Sequence, residues 1–119
     1  MKARIHVITL AVADFERALA FYRALGLQSA GVTATEFAGA DTHPAGAIVM
    51  FHLDGGLILA LYPRSELAKD AGIALGPARS GEFSLGHVVE TRQEVDELLA
   101  KAEAAGALVT ELQDRKSVV

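Results

Sequence analysis

Between Ile5 and Leu27 the hydrophobic period of the chain changes once. Ile5 to Val12 is almost continuously apolar and β-branched, the composition of a buried strand. From Phe15 onward the apolar residues Phe15, Ala18, Leu19, Tyr22 and Leu25 recur at i, i+3, i+4 and i+7, which predicts an amphipathic helix over Phe15 to Leu25. Asp14 stands at the N-cap, where its carboxylate can accept from the free amides of the first turn. Gly26 offers the left-handed position that stops a helix. A shift of 80 residues repeats the pattern, laying Val95 on Phe15, Leu98 on Ala18, Leu99 on Leu19, Gly106 on Gly26 and Ala107 on Leu27. Apolar face and terminating glycine both hold register, which points to an internal duplication.

The intervening chain supplies further strands. Gln28 to Phe37 alternates loosely and carries a weak strand signal, and Ala38 to Gly46 is dense in turn formers and reads as a loop. Ala47 to Leu53 and Leu57 to Tyr62 are apolar runs separated by Asp54-Gly55-Gly56, a hairpin signal. Ser65 is placed to cap a short helix over Glu66 to Ala71, and Gly72 to Gly81 reads as a connector. In the second half, Phe83 to Glu90 is expected as a strand, Gln93 to Ala105 as a helix and Ala107 to Leu112 as another strand. The remaining Gln113 to Val119 is polar, so the second copy is expected to stop after βαβ. The organisation is therefore one domain: module one over about 1–62, a linker over 63–81 and an incomplete module two over 82–119.

Composition narrows the function classes. With 51% hydrophobic and 22% charged residues, a folded globular chain is favoured over disorder. A net charge of −4 without a basic run argues against nucleic acid and anionic membranes as partners. The absence of cysteine excludes disulfides and thiolate metal sites, and no apolar run spans a bilayer, so a soluble cytoplasmic protein is the expectation.

The opening stretch VITLAVADFERALAFYRALGL, the segment GGLILALYPRSELAKDAG and FSLGHVVETRQEVDELLAKAEAAGA together resemble the vicinal oxygen chelate superfamily, which includes glyoxalase I, extradiol dioxygenases and bleomycin-resistance proteins. The resemblance covers more than half of the chain. It implies an α+β fold of paired βαβββ modules (glyoxalase/bleomycin-resistance/dioxygenase-like), here with the second module truncated. It also implies a cavity between paired units, which in enzymatic members holds a divalent metal on His or Glu side chains. Carried over position by position, the ligand positions fall on Val7, on Ala60 (Leu59 if the register slips by one) and on His87, with the fourth in the missing hairpin. A divalent ion needs three or four nitrogen or oxygen donors, so no metal cofactor is expected.

The candidate ligand-binding residues are His87, Phe37, Phe51, Tyr62 and Arg64, with Phe83 a further aromatic. His87 either faces a cavity or packs within a core. The aromatics are equally at home in a pocket wall or in the core of a sheet. Arg64 either anchors an anionic ligand or pairs with Glu66 or Asp70. His6 and His52 read as surface residues, and Glu36, Asp41 and His43 as turn chemistry in a loop.

Three functions are consistent with these residues. The leading one is a metal-free protein that binds a small organic molecule in a hydrophobic cavity. The second is a metal-dependent lyase or dioxygenase whose donors come from a partner chain or from missing residues. The third is a truncated module that self-associates. A homodimer, with or without exchanged modules, is expected because the absent hairpin would leave a strand edge uncovered.

Overall fold

A computed structural model describes residues 1–33, 47–78, 83–112 and 115–118. Phe37 and the loop residues Glu36, Asp41 and His43 lie outside the described residues. The chain divides into two compact units, Met1–Gly76 and Pro77–Val119.

In the first unit, β1 (Val7–Val12) is followed by α1 (Phe15–Ala24), β2 (Val32–Thr33), β3 (Ile48–His52), β4 (Ile58–Pro63) and α2 (Arg64–Ala71). The strands form one sheet in the order β1-β4-β3-β2. β1 runs parallel to β4, with Val7 opposite Ile58 and Thr9 opposite Ala60. β3 and β4 form the expected antiparallel hairpin around a 3-10 turn at Asp54–Gly56, with Phe51 opposite Leu59 and Met50 opposite Ala60.

Alternation along these strands decides which residues meet α1. Leu10, Val49, Phe51, Leu59 and Leu61 share one face of the sheet and bury against Leu19, with Phe15, Ala18, Tyr22 and Leu27 around them. The helix that supplies this cover begins where Asp14 accepts from the amide of Arg17 at 3.1 Å. It ends in a pair of backbone bonds, Gly26 to Arg23 and Leu27 to Tyr22, made possible by φ of 106° at Gly26.

α2 begins at Arg64, one residue before the expected cap Ser65. Pro63 occupies the N-cap with φ of −59°, an angle suited to helix entry, and no side chain caps the amides. The helix packs on β4 and β1 within the first unit.

The second unit holds α3 (Arg92–Ala104), β5 (Val109–Leu112) and β6 (Arg115–Val118). Thr91 caps α3 by accepting from the amide of Glu94 at 3.1 Å. The helix stop repeats that of α1, with Gly106 bonded to Glu103, Ala107 to Ala102 and φ of 108° at Gly106.

Two expectations fail in this unit. The run Phe83 to Glu90 joins no ladder among the described residues, and Phe83 and Val88 are 67% and 93% exposed. An apolar run has the composition of a strand without the neighbour that makes it one. Conversely, Arg115–Val118 forms a strand antiparallel to β5, with Val109 opposite Val118. Among its described residues the second copy thus runs αββ, with its second strand following β5 rather than preceding α3. Its polar residues Arg115 and Lys116 hid the strand from a hydrophobicity reading.

Candidate functional site

The face of the first sheet that turns away from α1 is set by the same alternation that builds the core. It carries Val7, Thr9 and Ala11 from β1, Ile58, Ala60 and Tyr62 from β4, and Met50 and His52 from β3. Across it run ladder rows about 4.8 Å per strand: Val7 beside Ile58 beside His52, and Thr9 beside Ala60 beside Met50. Ala60 is fully buried between those neighbours, whereas Val7 and Met50 are 47% and 40% exposed. The surface is a shallow apolar floor with a phenol at one end and an imidazole at another.

Val7 and Ala60 lie on this one face, while Leu59 points into the core and is 4% exposed. Neither Val7 nor Ala60 carries a donor atom, so this pair does not fit a divalent cation. Among the described residues no three His, Cys, Asp or Glu side chains come together as metal ligands.

The other candidate residues disperse. Phe51 goes to the core, with no exposed surface, because it sits one residue out of phase with Met50 and His52. Its ring packs on Tyr22 with centroids 5.7 Å apart. Arg64 donates through Nη2 to the carbonyl oxygen of Gly76, so its partner is a backbone carbonyl rather than Glu66 or Asp70. Glu66 pairs with Lys69 at 3.2 Å. His87 lies in the second unit, exposed, in the stretch without a ladder. His6 is exposed just before β1, whereas His52 is exposed on the sheet's outer face.

Sequence reasoning missed Thr9, Met50 and Ile58 on that face, for which the signal would have been strand alternation combined with ladder register. It also missed an open hollow of about 400 Å³ lined by Gln28, Ser29, Ala30 and His52. The hollow's wall is fixed where Arg23 donates to the Ser29 carbonyl at 2.8 Å and Gly31 donates to the Ser29 hydroxyl at 3.1 Å.

Tyr62 on this face has a displaced pKa. Burial, and then the negative charges of Asp70 and Glu66, hold its phenol above the ordinary value of 10.0. Burial alone does the same for Tyr22 beneath the sheet. A raised phenol favours the neutral form in the fold, so the stability it adds is present below pH ~10 and lost as pH rises through the raised value. The chain has two tyrosines and no tryptophan, which leaves phenolate absorbance uncluttered. Spectrophotometric titration should give both midpoints above those of the chain in guanidinium, and coincident curves would contradict the partial burial of both rings.

Comparisons with known proteins agree with this architecture. A profile of the Glyoxalase/Bleomycin resistance protein/Dioxygenase superfamily matches residues 4–117. Among solved structures, a glyoxalase-related enzyme from Fulvimarina pelagi is 27% identical with a TM-score of 0.69, over 91% of this chain and 68% of that one. A hypothetical protein from S. aureus, 22% identical with a TM-score of 0.69, covers 99% of this chain and 84% of its own. Lactoylglutathione lyase from Agrobacterium tumefaciens is 24% identical with a TM-score of 0.52, covering 99% and 84% respectively. A search of curated protein sequences gives no match. Among the described residues no helix is long and apolar enough to cross a membrane.

Proposed function

Starting from the premise that the chain belongs to the Glyoxalase/Bleomycin resistance protein/Dioxygenase superfamily, we propose that it binds a small organic molecule on the outer face of its first sheet without recruiting a metal. The observation that carries this reading is that Val7 and Ala60 share that face, methyl groups where the resemblance places ion-binding side chains. Aliphatic and thioether surface from Val7, Ile58 and Met50 favours an apolar body, and Thr9 and Tyr62 supply hydroxyls that orient it.

The test uses protein dialysed against a chelator. Elemental analysis should find no stoichiometric divalent ion, and calorimetry should detect saturable binding of planar organic ligands by the stripped protein. Turnover of a hemithioacetal or a catechol that appears with one bound cation and vanishes with chelator would establish the metal-enzyme alternative instead.

A second copy of the chain is the expected protein partner, because Phe83, Leu85 and Val88 are exposed in a stretch without a ladder among the described residues. Light scattering at micromolar concentration should report about twice the 12.5 kDa chain mass. A mass of one chain would exclude the dimer and leave the binding reading standing.

A further inference from the structure

The outer face of the first sheet opens into the hollow at its His52 end. β2 makes two ladder pairs with β3, Val32 with Val49 and Thr33 with Ile48. Continued backward, that register would set Ala30 opposite Phe51 and Ser29 opposite His52, yet residues 27–31 join no ladder. Gly31, with φ of 108°, turns the chain aside there. The space left is the hollow of about 400 Å³ between His52 and the segment Gln28, Ser29 and Ala30. Each of its polar side chains offers a donor: the Gln28 amide, the His52 imidazole and the Ser29 hydroxyl, whose oxygen accepts from Gly31 at 3.1 Å and whose proton is left to donate. Among the described residues that line it none carries a carboxylate. Arg23 donates to the Ser29 carbonyl at 2.8 Å, and a bond to a neutral carbonyl leaves its positive charge whole. Asp54 follows His52 by two residues, but Arg4 stands against the same turn, its Nη2 3.1 Å from where a Cβ on Gly56 would lie. Of the described charges tied to this end of the sheet, two arginines therefore outweigh one aspartate.

We propose that this hollow receives the charged end of the ligand, so that the molecule taken by the face is an apolar body bearing a carboxylate. The proposal rests on the reading of the sheet face as a small-molecule site and names the class of molecule that the site accepts. Met50 and His52 share the outer side of β3 two residues apart, about 7 Å along the strand. An apolar body lying over Ala60 and Met50 therefore reaches the hollow through a short arm directed away from Tyr62. There a carboxylate oxygen can accept from His52, Ser29 and Gln28, and the Arg23 guanidinium adds attraction that an uncharged group does not receive. The hollow is open, so this attraction acts partly through solvent and weakens with salt.

Three probes test it: 1-naphthylacetate, its isosteric amide 1-naphthylacetamide, and 1-naphthalenemethanol, each titrated calorimetrically into the full chain at about 10 mM ionic strength. The acetate should bind about fivefold more tightly than the amide, the order expected for one charge acting through solvent. At about 1 M salt that gap should close. Arg23→Gln should bring the two within about twofold at low salt, while Arg23→Lys, which keeps the charge, should leave the acetate ahead. His52→Ala should weaken the acetate severalfold by removing a donor. Arg23 and His52 are both exposed, so these variants are expected to fold, and circular dichroism checks that. An acetate that binds no more tightly than the amide, a preference that survives both Arg23→Gln and His52→Ala, or an Arg23→Lys protein that behaves as Arg23→Gln does, overturns the proposal and leaves the sheet-face reading standing. If none of the three probes binds, 1-naphthalenemethanol included, the small-molecule site itself is refuted and the carboxylate preference falls with it.

Discussion

Phe51→Ala should lower the free energy of unfolding by about 3–5 kcal/mol, the usual cost of emptying a phenylalanine from a packed core. The ring has no exposed surface and sits on β3, next to the central strand β4. Opposite Leu59 in the ladder and 5.7 Å from the Tyr22 ring, it joins sheet to α1. Truncation leaves a cavity that α1 cannot collapse into, because its backbone is held at both ends, by the Asp14 cap and by the Gly26 stop. Urea denaturation followed by circular dichroism measures the loss. A change below about 1 kcal/mol would mean that Phe51 does not sit in that core.

Ala60→Phe attacks the other side of the same sheet and should behave in the opposite way. The added ring emerges between Thr9 and Met50, both exposed, and the flexible Met50 can turn aside. Stability should fall by no more than about 1–3 kcal/mol, the range for overpacking. Ligand binding should fall by at least tenfold, because the ring fills the floor on which an apolar body would lie, and ~1.4 kcal/mol of lost contact already suffices for that. Calorimetry with 1-naphthalenemethanol, alongside a urea melt, separates the two effects. Undiminished binding by a folded Ala60→Phe protein would move the ligand off this face. The two substitutions lie in paired strands and divide one sheet into a side that folds and a side proposed to bind.

How legible this was in the sequence depends on the neighbours each residue needed. Leu10, Leu19 and the Asp54-Gly55-Gly56 turn were readable because a strand feeding a capped helix, and a hairpin around a glycine pair, are local patterns. Phe51 was not. An aromatic residue suits either side of a strand, and only the offset that sets Phe51 against Leu59 decides which. The same offset puts Ala60 rather than Leu59 on the outer face with Val7, a choice the sequence left open. His87 belongs to a run with strand composition, yet ladder partners are a long-range property that composition does not carry. Arg115–Val118 shows the converse, a ladder formed by residues whose polarity reads as a tail. The partner of Arg64, the Gly76 carbonyl, is a main-chain atom that no charge pattern reveals.

The matching helix stops of α1 and α3 bear on how the two halves should be superposed. At each stop a glycine holds a backbone angle that any other L-residue adopts at a cost of roughly 1–2 kcal/mol. A helix start is more forgiving, since Asp, Ser, Thr and Asn serve there almost interchangeably. Drift can therefore slide a beginning by a turn while an ending stays put. The caps illustrate it, because Asp14 and Thr91 fall out of step under the offset that brings Gly26 onto Gly106. Anchoring the comparison on the glycines keeps the halves in phase, whereas anchoring on the caps would turn one helix against the other by most of a revolution.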